Sequence, residues 1–179
     1  MILGDVCKIK HGFAFKGEYF CNTPTDYLLV TPGNFAIGGG FQEKQKYYNG
    51  PIPDEYVLAK DDLIVTMTDL SKQGDTLGYS ALVPCNDRYL HNQRIGLITI
   101  TSTDVLKDYV YWIMRTRNYQ RFIVNHASGS TVKHTAPKTI LEYEIDIPDL
   151  ETQRTIADTL SALDNRIAEN KKINHHLAA

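Results

Sequence analysis

Short apolar runs separated by turn residues fill the first hundred positions, and helical spacings fill the rest. Tyr27-Leu28-Leu29-Val30-Thr31 is rich in β-formers and stops at Pro32-Gly33-Asn34, which predicts a strand followed by a turn. Gly38-Gly39-Gly40 predicts a flexible bend, and Asn49-Gly50-Pro51 a further turn with Ile52-Pro53 extended after it. Leu63-Ile64-Val65-Thr66-Met67 is a short apolar run with β-branched members, the pattern of a buried strand. Residues 78–83 predict another strand, broken at Pro84, and Ile95-Gly96-Leu97-Ile98-Thr99-Ile100 is the clearest strand of all. Many short strands with irregular connections fit a mixed or antiparallel curved sheet better than a doubly wound one.

Beyond residue 102 the period lengthens. Thr103 or Asp104 is placed to cap a helix through Leu106, Tyr109, Val110 and Ile113, and a second helix is expected at about 118–126, ending at Ala127-Ser128-Gly129-Ser130. Tyr143-Glu144-Ile145-Asp146-Ile147 alternates as a half-buried strand does, and Pro148 ends it. Asp149 then suits the N-cap of a helix reaching at least Leu177. Ile156, Leu160, Leu163 and Ile167 repeat at four, three and four residues, and Asn170, Asn174 and Leu177 continue the rhythm. Polar positions inside such a heptad seam set register and partner number. A helix from Asp149 to Leu177 would be a rod about 43 Å long, too long to bury its whole stripe on a small domain, so a partner helix is expected in cis or in trans. The chain thus divides into an α+β domain over 1–148, a mixed or antiparallel curved β-sheet with peripheral helices, and a long coiled-coil-forming helix over 149–179.

Composition changes this picture little. Of 179 residues 42% are hydrophobic and 22% charged, ordinary for a folded soluble protein. No apolar run approaches the roughly 20 residues that span a bilayer, and Met1-Ile2-Leu3-Gly4-Asp5 has neither the basic nor the apolar region of a signal peptide. Cys7, Cys21 and Cys85 are widely spaced and form no Cys-x-x-Cys pair, which favours reduced structural thiols in the cytoplasm and no metal. The formal net charge of −2 does not itself suggest nucleic acid. Its distribution does more: Lys107, Arg115, Arg117, Arg121, Lys133 and Lys138 face Asp108 alone, with His126 and His134 in the same stretch, before an acidic run begins at Glu142. A local basic face can coexist with an acidic total.

Catalytic fingerprints are missing from the sequence. There is no phosphate-binding Gly-x-x-x-x-Gly-Lys loop, no strand-linked Gly-x-Gly-x-x-Gly and no Gly-x-Ser-x-Gly elbow. Pro148-Asp149 with Glu169-Asn170-Lys171 superficially matches a nuclease's carboxylates and lysine. Twenty residues along one helix separate them by about 30 Å, so they cannot share a metal. What remains is a folded domain with loops, a basic stretch and a pairing rod, the parts that a bipartite DNA reader requires.

Several segments in order resemble the specificity subunit of type I restriction–modification enzymes. Leu3-Gly4-Asp5-Val6 with Gly12-Phe13-Ala14-Phe15 is similar to the opening of a target-recognition domain, and Asp61-Asp62-Leu63-Ile64-Val65-Thr66 to its central strand. His91-Asn92-Gln93-Arg94-Ile95-Gly96 resembles the strand after it, and the stretch from Gly129-Ser130-Thr131 to Lys138 the loop before the closing strand. The most specific match runs from Ile147-Pro148-Asp149-Leu150-Glu151-Thr152-Gln153-Arg154 into the long helix. The resemblance implies a non-catalytic, cytoplasmic, bacterial or archaeal protein that reads one half of a split target in double-stranded DNA. Its helix would pair with a second copy or a second half of the subunit. Methyltransferase and restriction subunits would be its partners, and S-adenosylmethionine, Mg and ATP would belong to them, leaving this chain without a cofactor. A complete subunit has two recognition domains and two helical regions where this sequence has one of each, so it is either a half-subunit or a piece of a longer chain. The competing reading is a β-rich protein-interaction module tethered by a coiled coil, without DNA binding.

DNA contacts in such subunits lie in variable loops, so the candidates here rest on side-chain chemistry. Asn34 and Gln73 are amides able to pair with adenine, Lys72 and Arg117 suit guanine or phosphate, and Lys133 and His134 suit phosphate. The candidate pairing face is Ile156, Leu160, Leu163, Ile167, Asn170, Asn174 and Leu177.

Overall fold

A computed structural model describes residues 1–71 and 73–177, with side chains through 174. The candidate Lys72 and the side chain of Leu177 therefore lie outside the described residues. In chain order the strands are β1 (Cys7–His11), β2 (Phe20–Cys21), β3 (Leu28–Leu29), β4 (Tyr47–Tyr48), β5 (Val57–Leu58), β6 (Leu63–Thr66), β7 (Thr68–Asp69), β8 (Ser80–Leu82), β9 (Tyr89–Leu90) and β10 (Ile95–Ile100). Helices α1 (Lys107–Ile113) and α2 (Arg117–Asn125), strand β11 (Lys133–His134), and helices α3 (Pro137–Leu141) and α4 (Leu150–Leu177) follow.

All four residues of β6 are buried, so both its faces need a covering layer. Leu63 and Val65 point into a core shared with Val110, Met114, Tyr119, Ile123 and Ile140 of the helices. Ile64 points the opposite way, among Leu28, Val30, Phe35, Leu58 and Tyr89. The antiparallel sheet β1-β10-β6-β8 is thus the middle of three layers, with helices α1, α2 and α3 on one face and the sheet β2-β4-β3-β9-β5 on the other. That outer sheet is mixed, since β3 runs parallel to β9 and the other pairs are antiparallel. Its strands are two residues long. Edge-to-face rings carry the load that a longer ladder would: Phe15 and Tyr48 centroids lie 4.9 Å apart, and Tyr19 and Tyr48 5.9 Å. Gly96 in β10 is required by packing, because a Cβ there would sit 2.6 Å from Ile9 and 2.9 Å from Val65.

The expected α+β class and long terminal helix are present, and β6, β8 and β10 fall inside the predicted runs. Three local expectations change. The strand expected at 143–147 is a single bridge between Glu144 and Ile2, because the chain's first residues turn at once into the short helix Leu3–Asp5. Its alternation survives, with Ile145 buried between exposed Glu144 and Asp146. The Gly38-Gly39-Gly40 bend is held rather than flexible: Phe35 bridges Phe41, and the Gly40 N–H donates to the Ser80 carbonyl at 2.8 Å. Neither Thr103 nor Asp104 caps α1, which starts at Lys107 with no side-chain cap of its own. The Leu106 N–H instead donates to Oε1 of Gln153 in α4 at 2.8 Å, while Gln153 Nε2 donates to the carbonyls of Asp104 and Pro148, both at 2.8 Å. Gln153 is fully buried and fastens the first turn of α4 to the start of α1. As expected, Asp149 caps α4, accepting the Thr152 N–H at 2.8 Å.

His91 is fully buried, donating Nε2–H to the Ile95 carbonyl at 2.9 Å, and its Nδ1 has no partner among the described residues. Burial, with no acceptor for a second proton, lowers its pKa from 6.5 to about 4. Between those values the unfolded chain binds a proton that the folded chain does not, so stability is full above pH about 6.5 and falls as pH drops towards 4, by about 3 kcal/mol in all. We expect thermal unfolding to show a lower Tm at pH 4.5 than at pH 7, and His91→Gln to make that fall shallower. An identical fall in the variant would remove His91 as its source.

Candidate functional site

One carboxylate shapes the loop 70–76. Asp69, 5% exposed at the end of β7, accepts the N–H groups of Ser71 at 2.6 Å, Thr76 at 2.5 Å and Leu77 at 3.1 Å, and the Thr76 hydroxyl at 2.9 Å. Burial works to raise its pKa, but these hydrogen bonds outweigh it and hold the carboxyl below its ordinary value. Inside the loop Ser71 Oγ accepts the N–H groups of Gly74 at 3.0 Å and Asp75 at 2.8 Å. From outside, Gln120 of α2 donates to the Gly74 carbonyl at 2.8 Å. So fixed, the loop presents Leu70, 67% exposed, and Gln73 to solvent.

The neighbouring strands extend this rim. Lys133 pairs with Asp69 and His134 with Thr68, whose hydroxyl lies 3.2 Å from His134 Nδ1. The Thr135 N–H continues that pairing, donating to the Met67 carbonyl at 3.0 Å, and on the other side the Met67 N–H donates to the Arg94 carbonyl at 2.9 Å. Gln93-Arg94, the segment 67–71 and Lys133-His134 therefore lie side by side, although Thr68 and His134 are 66 residues apart in the sequence.

Beside the rim runs a groove. One stretch of about 600 Å³ is walled by Gly33, Ile37, Lys44, Leu70, Ser71 and Lys171 of α4 among others. A second, of about 320 Å³, adds Phe20, Lys46, Asn92, Gln93 and Arg94 and shares Pro32, Gly33, Lys44 and Leu70 with the first. Lys44, Lys46, Gln93 and Arg94 are exposed, and the Lys46 ammonium lies 4.4 Å from the centre of the Phe20 ring. Among the described residues no ion pair engages Lys44, Lys46, Arg94, Arg117 or Lys133. Free cations above amides and exposed apolar tips can neutralise phosphates while the amides and apolar groups meet base edges.

The predicted residues sort accordingly. Gln73, Lys133 and His134 come together on the rim, and Arg117 is exposed at the first turn of α2, one turn before Gln120. Asn34 is a correction. It is fully buried, its Oδ1 accepting the Thr31 N–H at 2.9 Å and its Nδ2 donating to the carbonyls of Lys44 at 3.0 Å and Gln42 at 3.3 Å. It shapes the 31–44 segment and has no amide atom left for adenine. The basic stretch 107–138 is also not one face: Lys107 donates to the Asp61 carbonyl at 2.7 Å, Arg115 is bound internally to Asp164, and Lys138 pairs with Glu142. The groove's cations Lys44, Lys46 and Arg94 come from elsewhere. Their signal in the sequence is the Lys44-x-Lys46 alternation, short beside the longer basic run that dominates the charge count.

Helix α4 has two faces. Gln153 and Ala157 are buried, Ser161 accepts the Trp112 Nε1–H at 3.1 Å, and Asp164 binds Arg115, which docks this side on α1. At about 100° per residue the predicted pairing stripe lies roughly a quarter turn away. Along it Ile156, Leu163 and Ile167 are 37%, 53% and 52% exposed, Asn170 and Asn174 are exposed, and Leu160 is half-buried at the border. No helix among the described residues is long and apolar enough to cross a membrane.

Comparison with known proteins adds an independent line. A family model described as the type I restriction modification DNA specificity domain matches residues 1–179. The chain is 30% identical over 161 residues to the EcoBI type I restriction enzyme specificity subunit of Escherichia coli, covering 90% of this chain and 31% of that protein. It is 21% identical over 176 residues to the MjaVIII specificity subunit of Methanocaldococcus jannaschii, covering 95% of this chain and 40% of the relative. Among solved structures, the S subunit of the type I restriction–modification system from M. genitalium has the same fold at a TM-score of 0.66 and 19% identity, covering 94% of this chain and 39% of that one. The chain thus spans between 31% and 40% of the length of these relatives.

Asp69→Ala should open the loop 70–76, because three backbone N–H groups lose their acceptor; the expected loss is about 2–4 kcal/mol. Chemical denaturation measures the loss, and limited proteolysis should cut first within 70–76. Wild-type stability with no new cut would overturn this role.

Proposed function

The chain belongs to the type I restriction modification DNA specificity domain family, and from that premise we propose that its groove reads one half of a split DNA target while α4 pairs with an equivalent helix. One observation carries this reading: Lys44, Lys46 and Arg94 line a groove bordered by the Asp69-shaped loop and by Lys133. Cations fix a duplex by its phosphates, and Gln73, Gln93, Leu70 and Ile37 are the groups that meet bases. His134 sits beside Lys133 to meet phosphate, and Arg117 extends the positive surface along α2. In this reading the chain supplies the address and no catalysis. Methyltransferase subunits, and a restriction subunit with them, dock on the scaffold and bring S-adenosylmethionine, Mg and ATP. Such an assembly works in the cytoplasm, where its DNA lies.

The test is duplex binding by the chain together with its methyltransferase partner across a salt series. Lys44→Ala, Arg94→Ala and Lys133→Ala should each weaken binding to all sequences and reduce the slope of log K against log salt by about 0.9 for each phosphate that is no longer neutralised. Gln73→Ala and Gln93→Ala should instead change sequence preference at an unchanged slope. Unaltered slopes in all three cation variants would exclude the groove and favour a protein-interaction module.

The pairing stripe has its own test. Leu163→Glu and Ile167→Glu each place a charge in the seam without touching Gln153, Ala157 or Asp164. Light scattering should report loss of the paired assembly with the helical circular dichroism of the domain retained. A mass unchanged from wild type would exclude this face.

A further inference from the structure

Arg115 stands where α1, α4 and the Gly38-Gly39-Gly40 bend meet. Its side chain is 11% exposed. Nη1 and Nη2 donate to the two carboxylate oxygens of Asp164 at 2.8 and 3.3 Å, Nε donates to the Gly38 carbonyl at 2.8 Å, and Nη1 also donates to the Tyr111 hydroxyl. The guanidinium lies 4.3 Å from the centre of the Trp112 ring. A planar fork with five fixed N–H groups grips both oxygens of a carboxylate in one plane while a third N–H meets a carbonyl, a geometry that the compact ammonium of a lysine does not reproduce.

The bend is built around that side chain. Gly38, Gly39 and Gly40 have φ of 88°, 84° and 91°, and a Cβ on Gly39 would lie 2.5 Å from Arg115 Cγ. The Gly39 N–H donates to Ala36 at 2.9 Å, closing a tight turn that carries Ile37, 76% exposed, into the wall of the groove. Lys171, two turns beyond Asp164 on the same side of α4, lines the same groove. One arginine therefore joins the docking face of the helix to a bend that borders the proposed DNA site. Arg115 is mostly buried while the Asp164 side chain is 42% exposed. A pair of this kind adds little net stability over apolar packing, but removing Asp164 leaves the buried guanidinium without its counter-charge, so the attested use of such a pair is to fix register.

We propose that Arg115 is a positioning residue that couples the seating of α4 to the shape of the 36–40 bend. Whatever engages α4 thereby sets how Ile37 meets the groove's ligand, and a ligand in the groove steadies α4 in return, since such coupling is reciprocal. The part concerning DNA rests on the function proposed above; the coupling itself does not.

The experiment is amide hydrogen exchange on the 179-residue chain bearing Asp164→Asn, Arg115→Lys or, as a control, Ser161→Ala. Asp164→Asn keeps shape but removes the charge that holds Arg115, so exchange at Gly39 and Gly40 should rise about tenfold while β6 and β10 stay protected. Arg115→Lys should do the same. Ser161→Ala cuts another α1–α4 hydrogen bond without touching the bend and should leave exchange at Gly39 and Gly40 as in wild type. Wild-type exchange in both Asp164→Asn and Arg115→Lys, or an equal rise with Ser161→Ala, overturns the coupling. Equilibrium binding to duplex DNA gives the second arm: Asp164→Asn should bind about tenfold more weakly at an unchanged salt slope, since Asp164 meets no phosphate. Unchanged affinity overturns the link to the groove. If the wild-type assembly binds no duplex, DNA reading fails and the exchange arm alone decides the coupling.

Discussion

Burial of β6 on both faces is the constraint from which the architecture follows. A strand with Leu63 and Val65 on one side and Ile64 on the other must be sandwiched, and each fully buried residue of that size is worth about 1.5–3 kcal/mol relative to exposure. Helices supply one cover. The other is a sheet whose two-residue strands would not hold by hydrogen bonds alone, so aromatic rings lock it down. The middle sheet then ends at Thr66 with nowhere to continue, and the chain leaves it as β7 and the 70–76 loop. The groove sits where the sandwich runs out.

That hierarchy explains what the residues reveal on their own. Runs buried by the middle sheet, such as Ile95 to Ile100, carry their pattern openly because one side chain in two must face each core. Helix α4 is equally open, since its heptad and the Asp149 cap are local facts. The outer sheet is hidden, because strands such as Tyr47–Tyr48 are too short for a period and exist only through tertiary contact. The start of α1 escapes local reading for a related reason: the group satisfying the Leu106 N–H lies on α4 at Gln153, and no local rule reaches that far.

The site shows the same split. Gln73 and Lys133 qualify by their chemistry, and the fold sets them on one rim. Asn34 qualifies on equal grounds and is interior, because an asparagine after a proline–glycine turn serves the backbone as readily as a ligand. The charge count along the chain misleads in detail. Arg115 contributes to the sum, yet it is bound within the protein, while Lys44 and Lys46 stand too far from the main run to be weighed with it.

The loop 70–76 is held by groups that grip only its main chain and the Thr76 hydroxyl: the Asp69 carboxylate, the Ser71 hydroxyl and the Gln120 amide. None of these bonds depends on which side chain stands at 70 or 73. Mutation at those two positions can therefore alter what the surface prefers without dismantling the surface, much as type can be reset in an unchanged frame. The shape of the loop and the character of its exposed tips are thus set by different residues, and a single buried carboxylate provides most of that division.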